Sequence, residues 1–310
     1  MYHIIINPNC GSGKGRRNAR ELSSLMNRSK KTYIEHFCKN ASDVTKYTAS
    51  VTDPRNFENN AVANRLILIG GDGTLNNCIN GIKDLEHTTL TYLPSGTSND
   101  FSRSLHISGK PLRALRATSP KIRTKSMDLA TVSYGTKKRR FVVSSGIGYD
   151  AAVCQEVQHS PLKAAFNRFR LGKLIYGFIA LKQFLFLKPC GCDLYLDDSE
   201  EPIHFNTFLL AAFMNLKHEG GGFPFAPDAD PADGKLDICL VGNLSKAMVP
   251  FVLPFVLAGR HHGKPGVHSY RASKIRIVTE EPLYAHTDGE ILGKYKELSF
   301  VCGQEKLLYR

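Results

Sequence analysis

The chain lacks any apolar run long enough to cross a bilayer as a helix. Its longest, residues 205–216 and 251–258, fall well short of the ~20 residues such a helix needs. A secretion signal is missing as well: Met1-Tyr2-His3-Ile4-Ile5-Ile6 meets Asn7-Pro8 at once, without a basic start, a long apolar centre or a small-residue cleavage site. A cytoplasmic protein is the expectation. No Cys-x-x-Cys pair occurs, and the eight cysteines are scattered singly except for Cys190 and Cys192. Neither a zinc site nor a disulfide framework is expected, and the cysteines read as reduced thiols filling space. Internal repeats and low-complexity tracts are absent. Acidic residues are in the minority, 28 against 41 Lys and Arg, and the formal net charge of +13 would attract nucleic acid, anionic lipid or nucleotide phosphates. Basic residues cluster at 137–140, at Lys163, Arg168, Arg170 and Lys173, and at 260–264. They lack the aromatic interleaving of a nucleic-acid motif, which leaves a solvated surface or a membrane-facing one.

What is present suits two globular units, since 310 residues at 42% hydrophobic composition can bury a substantial core. The apolar run 2–6 reads as a buried parallel strand that feeds a glycine-rich turn and a helix over 16–26. Residues 65–69 repeat the pattern, with glycines and then a helix over 75–82. A third strand over 90–93 ends at Pro94-Ser95-Gly96-Thr97 before a short helix over 99–105. Repeated βα units imply a doubly wound α/β sheet. Beyond residue 128 the texture changes to alternating segments at 129–133, 141–145, 192–196, 236–241 and 274–278, an antiparallel, β-rich half. One helix, 172–187, interrupts it, with Leu174, Phe178, Leu181 and Leu185 on a face expected to pack into the core.

Three turns carry chemistry. Asn7-Pro8-Asn9-Cys10-Gly11-Ser12-Gly13-Lys14-Gly15 lies between strand and helix, where small residues let backbone N–H groups approach an anion. It lacks the spacing of a Walker P-loop. Gly70-Gly71-Asp72-Gly73-Thr74 removes steric barriers at a strand end, offers a hydroxyl to phosphate through Thr74, and offers magnesium a carboxylate through Asp72. Asp288-Gly289-Glu290 sets two carboxylates two residues apart, one able to take a proton from a hydroxyl while the other orients it; which is the base is open.

With these elements the chain resembles the diacylglycerol kinase catalytic-domain family. The resemblance extends through Pro94-Ser95-Gly96-Thr97-Ser98-Asn99-Asp100-Phe101, Asp128-Leu129, Gly146-Ile147-Gly148-Tyr149-Asp150, Gly172-Lys173-Leu174-Ile175-Tyr176, Gly220-Gly221-Gly222 and residues 227–237. It implies an N-terminal doubly wound domain like those of NAD kinases and phosphofructokinases, over 1–127, and a C-terminal β-sandwich domain over 128–295, with the tail 296–310 returning to the first. It implies ATP as cofactor, bound by Asn7, Pro8, Gly11, Ser12, Gly13, Lys14, Gly70, Gly71, Asp72, Gly73, Thr74, Gly96, Thr97, Asn99 and Asp100, with Asp100 capping the helix that follows it. It further implies catalytic roles for Asp72, Asp288 and Glu290 and a catalytic magnesium at Asp72 and Asp128. A structural magnesium would sit in the turn of Asp230, Asp233 and Lys235, the last through its backbone carbonyl because its ammonium would repel the ion. A surface aspartate at 128 and a metal-free turn at 230–237 are the alternatives.

The implied activity is transfer of the ATP γ-phosphate to the hydroxyl of diacylglycerol, giving phosphatidate, by an enzyme peripheral to an anionic membrane. A homodimer fits this picture and nucleic acid does not. Other lipid alcohols such as sphingosine, a ceramide-like lipid or phosphatidylglycerol remain alternatives, as does a non-catalytic sensing module. Two departures stand out: Asn77 follows Leu75-Asn76 where the family has glutamate, and Cys38 follows the strand 34–37 where the family has threonine. His261 and His262 lack partners at metal-ligand spacing and read as part of a solvated basic loop.

Overall fold

A computed structural model describes residues 1–56, 64–159, 172–186 and 188–310. Four strands, β1 (Tyr2–Ile6), β2 (Tyr33–Phe37), β3 (Asn64–Gly70) and β4 (Thr88–Pro94), pair in parallel in the order β2-β1-β3-β4. Each buried strand is apolar on both faces because helices cover both. Ile4, Ile6, Ile67, Ile69 and Leu93 face α1 (Lys14–Arg28) through its Ala19, Leu22 and Met26. Ile5, Leu66, Leu68 and Leu90 face the opposite layer, which holds Val44 of α2 (Ala41–Val51) and Leu75, Cys78 and Ile79 of α3 (Asp72–Gly81). Chain order therefore reverses between β1 and β3, and the loops leaving their carboxyl ends flank the crevice where such sheets bind ligands. Two short helices, α4 (Asp100–Ser104) and α5 (Pro111–Ala117), complete this part.

The remaining strands are β5 (Lys125–Tyr134), β6 (Lys137–Phe141), β7 (Ser144–Gly148), β8 (Cys190–Leu196), β9 (Ile203–Met214), β10 (Leu236–Gly242), β11 (Val267–Ala272), β12 (Lys274–Thr287) and β13 (Glu290–Tyr309). Among themselves they pair antiparallel. Both β9 and β12 serve β8 with one half and β7 with the other, so the sheet folds over a shared core. Phe213 stacks on Phe300 there at 4.0 Å between ring centroids, and Phe141 meets Phe300 edge-on at 6.2 Å. Strand β13 pairs with β12 along its first half and with β5 along its second. Its last residues, Leu308 and Tyr309, lie parallel to Thr89 and Leu90 of β4. A doubly wound α/β unit is thereby joined, in one hydrogen-bonded network, to a β-sandwich-like one.

Three expectations from sequence need correction. The strand placed over 141–145 is a corner: β6 ends at Phe141, β7 begins at Ser144, and the basic run 137–140 is itself edge strand. The apolar face of α7 (Gly172–Phe186) is not core, because Phe178, Leu181 and Leu185 are 62%, 59% and 62% exposed. Helical spacing marks a stripe without saying what covers it, and here the helix packs on α6 (Tyr149–His159) through Ile179 against Val153 and Val157. His261 is wholly buried rather than solvated, and burial holds its ring below the ordinary imidazole range. Lys163, Arg168 and Arg170 lie outside the described residues.

Truncating Phe300 to Ala empties the centre of the second core, so Phe300→Ala is expected to lower unfolding free energy by about 3–5 kcal/mol in urea titration.

Candidate functional site

The three turns found in the sequence meet at the crevice. Loop 7–13 turns by left-handed backbone at Gly11, Ser12 and Gly13, with φ of 56°, 53° and 88°. A Cβ on Gly11 would stand 2.1 Å from the Ser95 carbonyl oxygen, so glycine is required where this loop crosses the next. The Asn7 amide donates to Thr74 Oγ1 at 3.0 Å, and the buried Asn18 amide donates to Ser95 Oγ at 2.8 Å. Between the second and third turns the backbones touch: a Cβ on Gly96 would lie 2.5 Å from the Gly71 Cα. Among the described residues no side chain caps α1 at Gly13 or α3 at Gly71; the first two N–H groups of α1, those of Lys14 and Gly15, donate to the carbonyls of Gly11 and Cys10. Thr97 is exposed at its rim.

Glu290 reaches the same point from the far end of the chain. A Cβ on Gly73 would lie 2.3 Å from Glu290 Oε1, so the carboxylate lies directly against the Gly70–Thr74 turn. It makes no hydrogen bond or ion pair among the described residues. Asp288, two residues earlier, is its opposite. Asp288 Oδ1 accepts the N–H groups of Val143 and Ser144 at 2.8 and 3.1 Å, and Oδ2 accepts that of Val142 and the Asn76 amide at 3.1 and 2.8 Å. Burial pushes its carboxyl up, and those donors oppose the shift. Four donors leave it little capacity to take a proton from a ligand.

Asp72 accepts the N–H groups of Asp100 and Phe101 at 3.1 and 3.4 Å, so Asp72, not Asp100, caps α4. Asp100 instead accepts from Gly221 N–H at 2.8 Å, which draws the glycine loop 220–222 to the crevice. The Asn99 amide is turned wholly to the Gly96 backbone, 2.9 Å to both N–H and C=O. Desolvation and the neighbouring Asp100 push Asp72 up to about 6, and desolvation likewise raises Asp100.

Among the described residues no hydrogen bond or common partner joins Asp128 to Asp72. Asp128 Oδ2 accepts Gly234 N–H at 2.8 Å, Oδ1 accepts the Lys306 ammonium at 2.9 Å, and its own N–H donates to Pro231. It therefore supports the turn of Asp230, Asp233 and Lys235, where Asp230 accepts from Ala232 N–H and Asp233 from Lys235 N–H. The Arg271 guanidinium pairs with the second oxygen of Asp233. An arginine charge thus holds the carboxylate that was assigned to a structural magnesium. Of the two departures, Asn77 accepts from the Arg139 guanidinium at 3.0 Å while Asn76 accepts from its Nε at 2.8 Å. Cys38 is buried in the first core.

A further cluster escaped the sequence reading. His286, wholly buried on β12, meets Asp150 of α6 and Glu219 beside the glycine loop. Burial alone would lower its pKa, yet Glu219 and Asp150 together hold it well above the ordinary value. Its only signal in the sequence was position, two residues before Asp288.

A parallel sheet with glycine turns at its switch point, joined to a β-sandwich that delivers a free carboxylate, defines the class of kinases with an NAD kinase-like fold. Residues 1–132 match the family model described as the diacylglycerol kinase catalytic domain, and residues 142–302 match the YegS C-terminal NAD kinase beta sandwich-like domain. The chain belongs to the diacylglycerol kinase catalytic-domain family of lipid kinases. It is 28% identical over 295 residues, 94% of each chain, to the Bacillus subtilis protein named "Putative lipid kinase YtlR". To a diacylglycerol kinase of Staphylococcus saprophyticus it is 28% identical over 231 residues, 74% of this chain and 71% of that one. A crystal structure of a Bacillus anthracis diacylglycerol kinase shares the fold at a TM-score of 0.67 and 22% identity, covering 99% of this chain and 95% of that one.

The Asp72 environment has a measurable consequence. A folded carboxyl that keeps its proton up to about 6, against 3.8 ordinarily, contributes stability at low pH that is lost as pH rises through about 6. In thermal melts without magnesium, Asp72→Asn should remove part of the decline between about pH 4 and about pH 6; an unchanged pH dependence would refute the assignment.

Proposed function

We propose that this chain is an ATP-dependent kinase that phosphorylates the free hydroxyl of diacylglycerol to give phosphatidate, with Glu290 as the general base. The observation that carries the proposal is the contrast between the saturated Asp288 and the unpaired Glu290 resting on Gly73. In this scheme residues 1–127 form the nucleotide half and residues 128–295 the lipid half. The turns at 7–14, 70–74 and 96–100 surround the phosphates with backbone N–H groups. Magnesium, when bound, would neutralise phosphate charge and be held by Asp72; the donor set fits, because the neighbouring buried carboxylates Asp72 and Asp100 repel one another and Asp100 Oδ1 has no partner among the described residues, a strain that a dication would relieve. Asp288 positions the turn, and Glu290 takes the hydroxyl proton as the oxygen attacks the γ-phosphorus and the bond to the β,γ-bridging oxygen breaks, with ADP as the leaving group.

Support for a membrane-borne substrate comes from the exposed face of α7 and the following helix α8 (Val249–Leu257). Phe178, Leu181, Leu185, Phe186, Phe251 and Phe255 stand exposed, with Lys182 and Lys264 nearby in the chain. Both helices line one apolar crevice, through Phe184 on α7 and Val249, Val252 and Val256 on α8. Exposed apolar side chains with lysines close by suit insertion at the surface of an anionic bilayer. Among the described residues no helix is long and apolar enough to cross a membrane.

Radiolabelled ATP offered with a panel of diacylglycerol, sphingosine, ceramide and phosphatidylglycerol should label diacylglycerol, and preferential labelling of another alcohol would replace the substrate assignment. Glu290→Gln should lower kcat by ~10²–10⁴-fold while the protein stays folded; near-normal turnover would remove Glu290 from the role of base. Leu181→Glu combined with Phe251→Glu should reduce sedimentation with phosphatidylglycerol vesicles yet spare turnover of a dispersed short-chain substrate.

A further inference from the structure

Four residues ahead of Glu290, the fully buried His286 ring presents Nε2 to two carboxylates at once, 3.1 Å from Asp150 Oδ2 and 3.1 Å from Glu219 Oε1. A ring nitrogen carries at most one proton, so it cannot give a full hydrogen bond to both. Further capacity lies unused around it: Asp150 Oδ1, Glu219 Oε2 and His286 Nδ1 are buried without partners among the described residues. Ligands about 2.0–2.2 Å from a common ion stand roughly 3.0–3.5 Å apart at octahedral or tetrahedral angles, the separation of Nε2 from each oxygen here. One ligand atom from each of the three residues lies within 4.8 Å of the others.

Charge favours the same occupant. Two carboxylates and an imidazolium leave one uncompensated negative charge in the interior, whereas a divalent cation with a neutral imidazole leaves none. The backbone also closes tightly on the cluster, since a Cβ on Gly146 would lie 2.0 Å from Asp150 Oδ2 and 2.5 Å from His286 Nε2. We propose that Asp150, Glu219 and His286 form a binding site for one first-row divalent cation of the zinc or manganese kind, distinct from the magnesium that accompanies ATP. An imidazole nitrogen in the ligand set selects such ions over magnesium. The ion would tie α6, the loop before Gly220 and the end of β12 into one unit. That unit borders the Asp288-Gly289-Glu290 turn: Gln158 of α6 donates to the Gly289 carbonyl at 2.7 Å, and Gly221 donates to Asp100. The site is therefore placed to hold the turn rather than to touch substrate.

The test uses full-length protein stripped by chelator, titrated without nucleotide with Zn²⁺ or Mn²⁺ in excess Mg²⁺, and read by metal content and melting temperature. One equivalent should bind and raise the melting temperature. Glu219→Gln and Asp150→Asn, nearly isosteric and folded by circular dichroism, should each weaken binding at least tenfold, while Asp72→Asn and Asp233→Asn should not. Absence of a stoichiometric ion in the wild-type protein, unchanged binding in the first two variants, or loss of binding in either of the second two would overturn the proposal.

Discussion

Everything at the crevice hangs on one buried carboxylate. Asp288 gathers three consecutive backbone N–H groups at the β6–β7 corner and the amide of Asn76 on α3, and so fastens the last hairpin of the sandwich to the helix that starts at the glycine turn. Hydrogen bonds to a charged acceptor are among the stronger ones a protein makes, and in a dehydrated setting their geometry is stringent. With Asp288 held on four sides, the chain two residues on has no choice but to lay Glu290 across Gly73. Asn76 extends the same network outward, accepting from Arg139 while donating to Asp288.

Glycine makes the other half of the arrangement possible. The backbone contacts of Gly11 with Ser95 and of Gly96 with Gly71 fall at distances that no Cβ tolerates, and a Cβ on Gly73 would displace the Glu290 carboxylate. They let the loops that hold Gly11, Gly71 and Gly96 meet backbone to backbone. Negative charge accumulates alongside: Asp72, Asp100 and Asp288 are all raised by burial, and Asp72 and Asp100 also repel each other. A protein with an overall charge of +13 thus concentrates carboxylates at this one crevice.

The antiparallel part serves as carrier. Strand β13 begins at Glu290 and ends against β4, so the residue that bears the free carboxylate belongs to a strand anchored in both layers of the molecule. Helices α7 and α8 turn phenylalanine and leucine outward beside an apolar crevice. A polar crevice and an apolar outer face within one chain suit the proposed transfer from a nucleotide to a lipid alcohol.

Strand–glycine–helix units were legible along the chain because a tight turn is a property of a few adjacent residues: the runs 2–6 and 65–69 and the glycines after them needed no distant neighbour to be recognised. The same holds for the family resemblance, which rests on contiguous motifs. Other features were not readable this way. The run 141–145 looks like a strand, yet Val142 and Val143 form the corner that serves Asp288. The stripe Phe178, Leu181 and Leu185 has helical spacing whether it meets a core or solvent. Asp128 and Asp72 are equally good ligands in the sequence, but Lys306 and Gly234 occupy the first. Which acid is saturated and which stays free depends on partners such as Asn76 and Asp288, 212 positions apart, since desolvation and competition for donors are set by spatial neighbours that chain order does not reveal.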